Sequence, residues 1–314
     1  MAAYLKVRSS LVVLFSFFSK IFSALKKEIA VIKIDHRFFW MKLFARFETI
    51  RDVVAARGTS GQRFPLSDSS SSVTLQTSSL EACHRLKQDG YYQGLQLSPP
   101  ILKALVDFAH NNPCYAGRQP HLKFHLHQRE EMETRLQSTI KIAGYLDSHE
   151  SCPAFQALKQ DPVILGIAAD YLGHEPRYQR GEIAWSFPGY ASDAERLAAA
   201  QVLHCDLNDY RTVKFFFYLT DVDADCGPHF YLRGTNRGRH LLHQVMGQRC
   251  ASIDDNELIE SYGSDCATTV KGPAGFGFAG DPYTFHKGVL PSRSRRLLLQ
   301  LEFGIHDYKT WYFS

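Results

Sequence analysis

From residue 181 onward, apolar and polar positions alternate in short runs bounded by Gly, Pro and Asp. The runs are GEIAWSF (181–187), TVKFFFYLTDV (212–222), PHFYLRG (228–234), TTVKGPAGFGFAG (268–280), YTFHKGVL (283–290) and RLLLQLEFGI (296–305). Period-two alternation with turn residues at the ends predicts β-strands. Residues 80–172 read differently. SLEACHRLKQDG (79–90) predicts a helix that stops at Asp89-Gly90, followed by a short strand. A second helix follows, opened by Pro99-Pro100 with Ser98 as its N-cap. Residues 130–172 are mostly helical by periodicity and end on the cap Gly173. A helical half followed by many short strands predicts an antiparallel sandwich or barrel, mainly β, with N-terminal helices packed on it.

The chain before residue 80 has another character. LVVLFSFFSKIFSAL (11–25) is apolar and Phe-rich but interrupted by Lys20. As a helix its fifteen residues cover about 22 Å, short of a hydrocarbon core of roughly 30 Å. HRFFWMKLFARF (36–47) continues the mixture of aromatic and basic residues, as in an interfacial or partner-docking helix. Residues 1–58 are therefore expected to form a helical segment that either touches a membrane surface or a protein through residues 1–50 or packs as an extension on the body. The Ser/Thr-rich stretch 59–79 is expected to be a linker, and residues 80–314 a single domain.

Charge follows the same division. The 314 residues carry 36 Lys/Arg and 32 Asp/Glu, a net charge of +4. Residues 1–58 hold 11 basic and 4 acidic residues, which leaves 25 against 28 in the remainder, a net of −3. A mildly acidic body gives no electrostatic footprint for nucleic acid, and none is expected as a partner. The seven cysteines show no CxxC pair, which favours a reducing compartment and a cytoplasmic location.

The stretch VLHCDLNDYRTVKFFFYLTDVDADCG (202–227) carries the chemistry. In an extended strand, residues i and i+2 point the same way, so His204 and Asp206 project together while Cys205 turns opposite. One imidazole and one carboxylate are two corners of a facial triad for non-haem Fe(II), which needs one more imidazole. His286, about eighty residues on, follows a strand-like run and is the best candidate. An enzyme using 2-oxoglutarate and O2 as co-substrates also needs a cation for the distal carboxylate. Arg296 serves best, because a guanidinium matches a carboxylate bidentately. It begins the alternation Arg296, Leu298, Gln300, Glu302, while Arg295 lies on the other face and Arg293 in a turn.

With DGYYQGLQLS, HCD, FYLTDVDADCGPHFYLRGTN and the distal His followed by RRLLLQLEF, residues 80–314 resemble the phytanoyl-CoA dioxygenase family of Fe(II)/2-oxoglutarate oxygenases. The resemblance implies a double-stranded β-helix (jelly roll). It implies iron held by His204, Asp206 and His286, and 2-oxoglutarate anchored by Arg296. With Asp206 present, hydroxylation of a small molecule is implied rather than halogenation, since related halogenases carry a small residue there. The chain departs from the family at Gly288, where a small hydroxyl residue often helps to bind the co-substrate. Lys214, Phe216 and Tyr218 share one strand face and are expected to line the co-substrate pocket. Trp185 on the preceding strand is expected beside the substrate.

Other signals carry less. GFGFAG (275–280) matches G-x-G-x-x-G but leads into Asp281-Pro282 rather than a helix, so its glycines are read as a turn and a bulge. HLKFHLH (121–127) places His121 and His125 at helical spacing, and a surface or substrate-facing cluster is expected there. Two rival functions remain, a non-redox cupin-type epimerase or isomerase and a catalytically idle binding module. Arg296 at its spacing from His286 argues against the first, and the intact ligand set against the second. The primary substrate and the oligomeric state are not legible.

Overall fold

The computed structural model describes residues 33–58 and 71–308. The Phe-rich run 11–25, residues 59–70 of the expected linker and the C-terminal residues 309–314 lie outside the described residues. Those described fall into two compact units, 33–44 with Tyr308 and 45–307 apart from the undescribed stretch. In the smaller unit, the helix His36–Phe44 buries Phe38 and Met41 and sets Phe38 edge-on to Tyr308 at 5.3 Å. Trp40, Leu43 and Phe44 are exposed.

The division at 44/45 differs from the expected segment 1–58. The helix Glu48–Ala56 belongs to the larger unit because its polar residues are committed there. The Glu48 carboxylate accepts the backbone N–H groups of Gly238 and Arg239. Arg51 is buried over the Tyr283 ring at 3.9 Å and pairs with Asp281 at 3.4 Å. Part of the expected linker is also structured. Ser71 and Ser72 donate to Asp161, the N-cap of the helix Pro162–Leu172, and Val73–Leu75 form strand β1.

The remaining strands, in chain order, are β2 (Tyr91–Leu97), β3 (Cys114–Ala116), β4 (Lys123–Phe124), β5 (Ile142–Gly144) and β6 (Arg177–Ser186). They continue with β7 (Thr212–Tyr218), β8 (His229–Leu232), β9 (Ala267–Val270), β10 (Phe276–Gly280), β11 (His286–Gly288) and β12 (Arg296–Gly304). Nine strands form one antiparallel sheet in the order β1-β2-β10-β7-β12-β6-β5-β3-β4, and three form a second in the order β11-β8-β9. Helices Ser79–Asp89, Pro99–Asn111, Pro153–Lys159 and Pro162–Leu172 carry the apolar stripes that cover one face of the large sheet. Gly90 and Gly173 close the first and last of these in the left-handed conformation, as their positions in the sequence anticipate.

Alternation sorts each central strand between two cores. Val213, Phe215 and Phe217 of β7, with Leu297, Leu299 and Leu301 of β12, pack against the helices. Phe216 and Tyr218 point the other way and meet Phe278, Tyr231 and Val270, so a smaller apolar cluster lies between the two sheets. Three short strands depart from the sequence reading. β5 interrupts the expected helical stretch 130–172, and β3 and β4 occupy residues around HLKFHLH. His121 and His125 are therefore not on one helix, and His121, His125 and His127 are at least partly exposed. The GFGFAG glycines do mark a turn and a bulge. Gly275 has φ +89°, and the β10–β2 register shifts between Gly277 and Phe278. All seven cysteines are free. Among the described residues, no helix is long and apolar enough to cross a membrane.

At Gly277 a Cβ would come within 2.4 Å of the buried Phe217 ring. Gly277→Val is expected to overpack this face and cost about 1–3 kcal/mol. Urea unfolding of the variant tests this, and an unchanged midpoint would show that the sheet yields freely there.

Candidate metal centre

The segment before β7 lies beside β11 through a single antiparallel bridge. His204 and His286 exchange both backbone hydrogen bonds, at 3.1 and 2.9 Å, and the Asp206 N–H donates to the Pro282 carbonyl. Residues 202–206 do not form a strand of any length, yet this local extension places side chains as the i, i+2 argument requires. Cys205 turns away into a cluster with Leu203, Leu232, Cys250, Leu258 and Phe285, and accepts from Arg239. His204, Asp206 and His286 converge, their ligand atoms all within 4.8 Å of one another.

Each imidazole is oriented by its other nitrogen. His204 Nδ1 lies 2.9 Å from the Val202 carbonyl and His286 Nδ1 lies 2.8 Å from the Thr284 carbonyl. A carbonyl only accepts, so both Nδ1 atoms carry the proton and both Nε2 lone pairs are free. The Nε2 atoms stand 3.9 and 4.0 Å from the two Asp206 oxygens. Burial pushes the His286 pKa down to about 3, and Tyr231 stacks on its ring at 5.7 Å. Burial would raise the Asp206 carboxyl, but the Lys214 ammonium beside it holds it well below the usual carboxylate range. Two imidazoles and one carboxylate on one side of the chain form a donor set suited to a divalent transition metal.

Lys214, expected to line the co-substrate pocket, is paired with a proposed metal ligand. Its ammonium donates to Asp206 Oδ2 at 2.5 Å and stands 3.7 Å from Glu302. Glu302 is fully engaged, accepting from Asn208 at 2.7 Å and Arg180 at 2.9 Å. The physical reason is proximity: the nearest anions to Lys214 are these two carboxylates.

Arg296 lies opposite Ser186 in the β12–β6 register and is 5% exposed. Its Nη2 donates to Ser186 Oγ at 3.3 Å, while Nε and Nη1 are buried without a hydrogen-bond partner. Burial lowers its pKa. A desolvated guanidinium with two open donors fits a carboxylate. Phe216 stacks on Phe278 at 4.9 Å and lies tilted against His229 at 4.6 Å, facing the same interior. The Tyr218 hydroxyl is occupied, donating to the Val270 carbonyl and accepting the His229 N–H, and burial pushes its pKa up to about 12.

Trp185 is not beside this site. Its alternation places it on the opposite face of β6, in the helix-side core, where its indole N–H donates to the Tyr145 hydroxyl. Arg295 lies over its ring at 5.0 Å, and Arg293 pairs with Asp225. Among the described residues the sequence reading missed His229 and Ser186. The alternation of their strands is the signal they carry: His229 shares a face with Tyr231, and Ser186 lies on the face opposite Trp185.

No protein-family model and no curated protein matches the chain. Solved structures give weaker likenesses. SnoN, a non-heme alpha-ketoglutarate-dependent epimerase from nogalamycin biosynthesis, is 15% identical over 72% of this chain and 82% of its own, with a TM-score of 0.48. HygX from Streptomyces hygroscopicus, solved with nickel and 2-oxoglutarate, is 15% identical over 71% of this chain and 86% of its own, TM-score 0.49. EctD from S. alaskensis, solved with bound Fe, is 16% identical over 73% of this chain and 76% of its own, TM-score 0.47.

Removing the Lys214 ammonium leaves the half-buried Asp206 carboxylate without its nearest cation, a loss of about 1–3 kcal/mol. A divalent ion restores the missing charge. Lys214→Met is thus expected to be destabilised in EDTA and to gain more from saturating Ni(II) than the wild type does. Equal gains in urea midpoint would show that Lys214 does not compensate Asp206.

Burial also pushes His149, His229 and His243 below their ordinary range, as it does His286. Below about pH 6.5 the unfolded chain takes up protons that the folded chain refuses, so stability falls as pH drops from there toward 3. For the metal-free protein the His286 contribution is expected to be on the order of 1 kcal/mol per pH unit, with the other histidines acting in the same direction. A urea midpoint that stays level between pH 7.5 and 5 would contradict this.

Proposed function

We propose that the protein is an Fe(II)- and 2-oxoglutarate-dependent dioxygenase that oxidises a C–H bond of a small molecule, with release of succinate and CO2. One observation carries the reading. A His-Asp-His donor set and a buried guanidinium with two open donors share the interior between the sheets. On this reading the two sheets are the halves of a double-stranded β-helix.

His204, Asp206 and His286 would hold the iron, and Arg296 the distal carboxylate of 2-oxoglutarate. Bound together, these two supply oxidative decarboxylation coupled to C–H oxidation. The chain's own residues bind and orient. The backbone carbonyls of Val202 and Thr284 fix the tautomers of the two histidines, so both Nε2 atoms are ready to ligate. Lys214 keeps Asp206 ionised. Ser186 steers the Arg296 guanidinium. Phe216, Phe278 and Tyr231 exclude water from the inner wall. A non-redox isomerase on a similar scaffold has no use for a desolvated arginine with unfilled donors, which ranks that alternative second.

The test is aerobic turnover after anaerobic reconstitution with Fe(II) and 2-oxoglutarate, read as succinate. His204→Ala is expected to abolish succinate formation, and Arg296→Ala to raise the KM for 2-oxoglutarate by at least about tenfold. Absence of succinate, together with no visible absorption change on adding 2-oxoglutarate to the Fe(II) protein, overturns the proposal.

A further inference from the structure

His229 is an interior histidine for which the metal centre has no use. It is 6% exposed, and its Nδ1 is buried with no hydrogen-bond partner. An unsatisfied ring nitrogen in a packed interior is destabilising, so its presence calls for a reason. Its position gives one. In the β11–β8 register, His229 stands directly opposite Gly288. Directly opposed residues of an antiparallel pair project to the same face. The direction of that face is fixed by Gly288, where an added Cβ would sit 3.6 Å from Arg296 Nη2. Gly288 thus leaves the space beside Arg296 without a side chain, and the residue across the ladder projects toward the same side.

The ring is also held in place. Phe216 lies against it at 4.6 Å and Phe278 meets it edge-on at 5.1 Å, while its backbone N–H donates to the Tyr218 hydroxyl at 3.0 Å. After burial, the charge of Arg296 is the strongest influence on its protonation, as expected for neighbours in one pocket. Among the described residues, buried side-chain atoms without a partner number seven. Three of them, Nε and Nη1 of Arg296 and Nδ1 of His229, belong to this pocket. Unfilled donors gathered at one place mark where a ligand supplies the acceptors.

We infer that His229 is a second donor to the distal carboxylate of 2-oxoglutarate, working beside Arg296 in the space that Gly288 leaves open. The inference rests on the proposed 2-oxoglutarate dependence and specifies which side chains recognise the far end of the co-substrate. In its neutral Nδ1–H form the imidazole donates one hydrogen bond to a carboxylate oxygen, and Arg296 donates the others.

The test uses calorimetric binding to the Ni(II)-loaded full chain, with 2-oxoglutarate and 2-oxobutyrate as probes. Both share the keto-acid end, and only the first has the distal carboxylate. His229→Ala is expected to weaken 2-oxoglutarate binding about tenfold or more, as for loss of a hydrogen bond to a charged group, with 2-oxobutyrate and Ni(II) affinity unchanged. His229→Asn keeps a donor near the Nδ1 position and is expected to retain most of the affinity. In the His229→Ala background, Gly288→Ser should recover part of the loss, since the added Cβ has room at 3.6 Å from Arg296. The inference is overturned if His229→Ala binds 2-oxoglutarate as the wild type does, or if it weakens both probes equally, which marks a structural role. If instead the wild type binds 2-oxoglutarate no more tightly than 2-oxobutyrate, the 2-oxoglutarate reading itself fails.

Discussion

A strand buried on both faces must satisfy everything it carries on both, and that constraint shapes the centre of this protein. All seven residues of β7 are buried, and β12 beside it is nearly so. On the helix side the solution is uniform: Val, Phe and Leu pack together and no polar atom needs a partner. On the other side the same strands carry Lys214, Arg296 and Glu302 into the interior, where a charge is tolerated only if compensated. Lys214 and Arg180 answer Glu302, and Lys214 also answers Asp206. Arg296 alone is left incompletely answered, with Ser186 as its single protein acceptor. The imbalance is local.

The metal ligands depend on a different device. Asp206 and His204 lie in a stretch too irregular for a strand, so the sheet cannot place them by itself. One bridge does so, the reciprocal pair of main-chain bonds between His204 and His286, helped by the Asp206 N–H on Pro282. Because the constraint is on backbone, the three side chains remain free to be set by their own partners: two carbonyls for the imidazoles and one ammonium for the carboxylate. Side-chain geometry of this kind, fixed by neighbours that do not themselves ligate, is what a metal site of defined shape requires.

The long strands were legible in the sequence because their alternation is strong and their ends carry turn residues. β6, β7 and β12 fall where GEIAWSF, TVKFFFYLTDV and RLLLQLEFGI put them. The common direction of His204 and Asp206 was also legible, since i, i+2 geometry needs only local extension, whereas His286 reaches them through the tertiary fold. β1, β3, β4 and β5 were not, because two or three residues hold too little of any period to register, and their pairing comes from the sheet edge they join. The two faces of β6 explain the misplacement of Trp185. Alternation separates Trp185 from Ser186 but does not say which of the two faces the site, and only the register with Arg296 decides it. Lys214 shows the same limit for charge: its face was readable, while its partner Asp206 was fixed by tertiary folding.

The His204–His286 bridge joins positions separated by about eighty residues of chain. Closing a loop of that length costs entropy before either imidazole gains anything from the other's presence. β8, β9 and β10 all lie within that loop, so the pair forms only as the two sheets assemble. A metal ion meeting the unfolded chain finds His204 and Asp206 together but His286 far away. The centre is thus poorly placed to nucleate folding and well placed to slow unfolding, because opening it requires the assembled sheets to part.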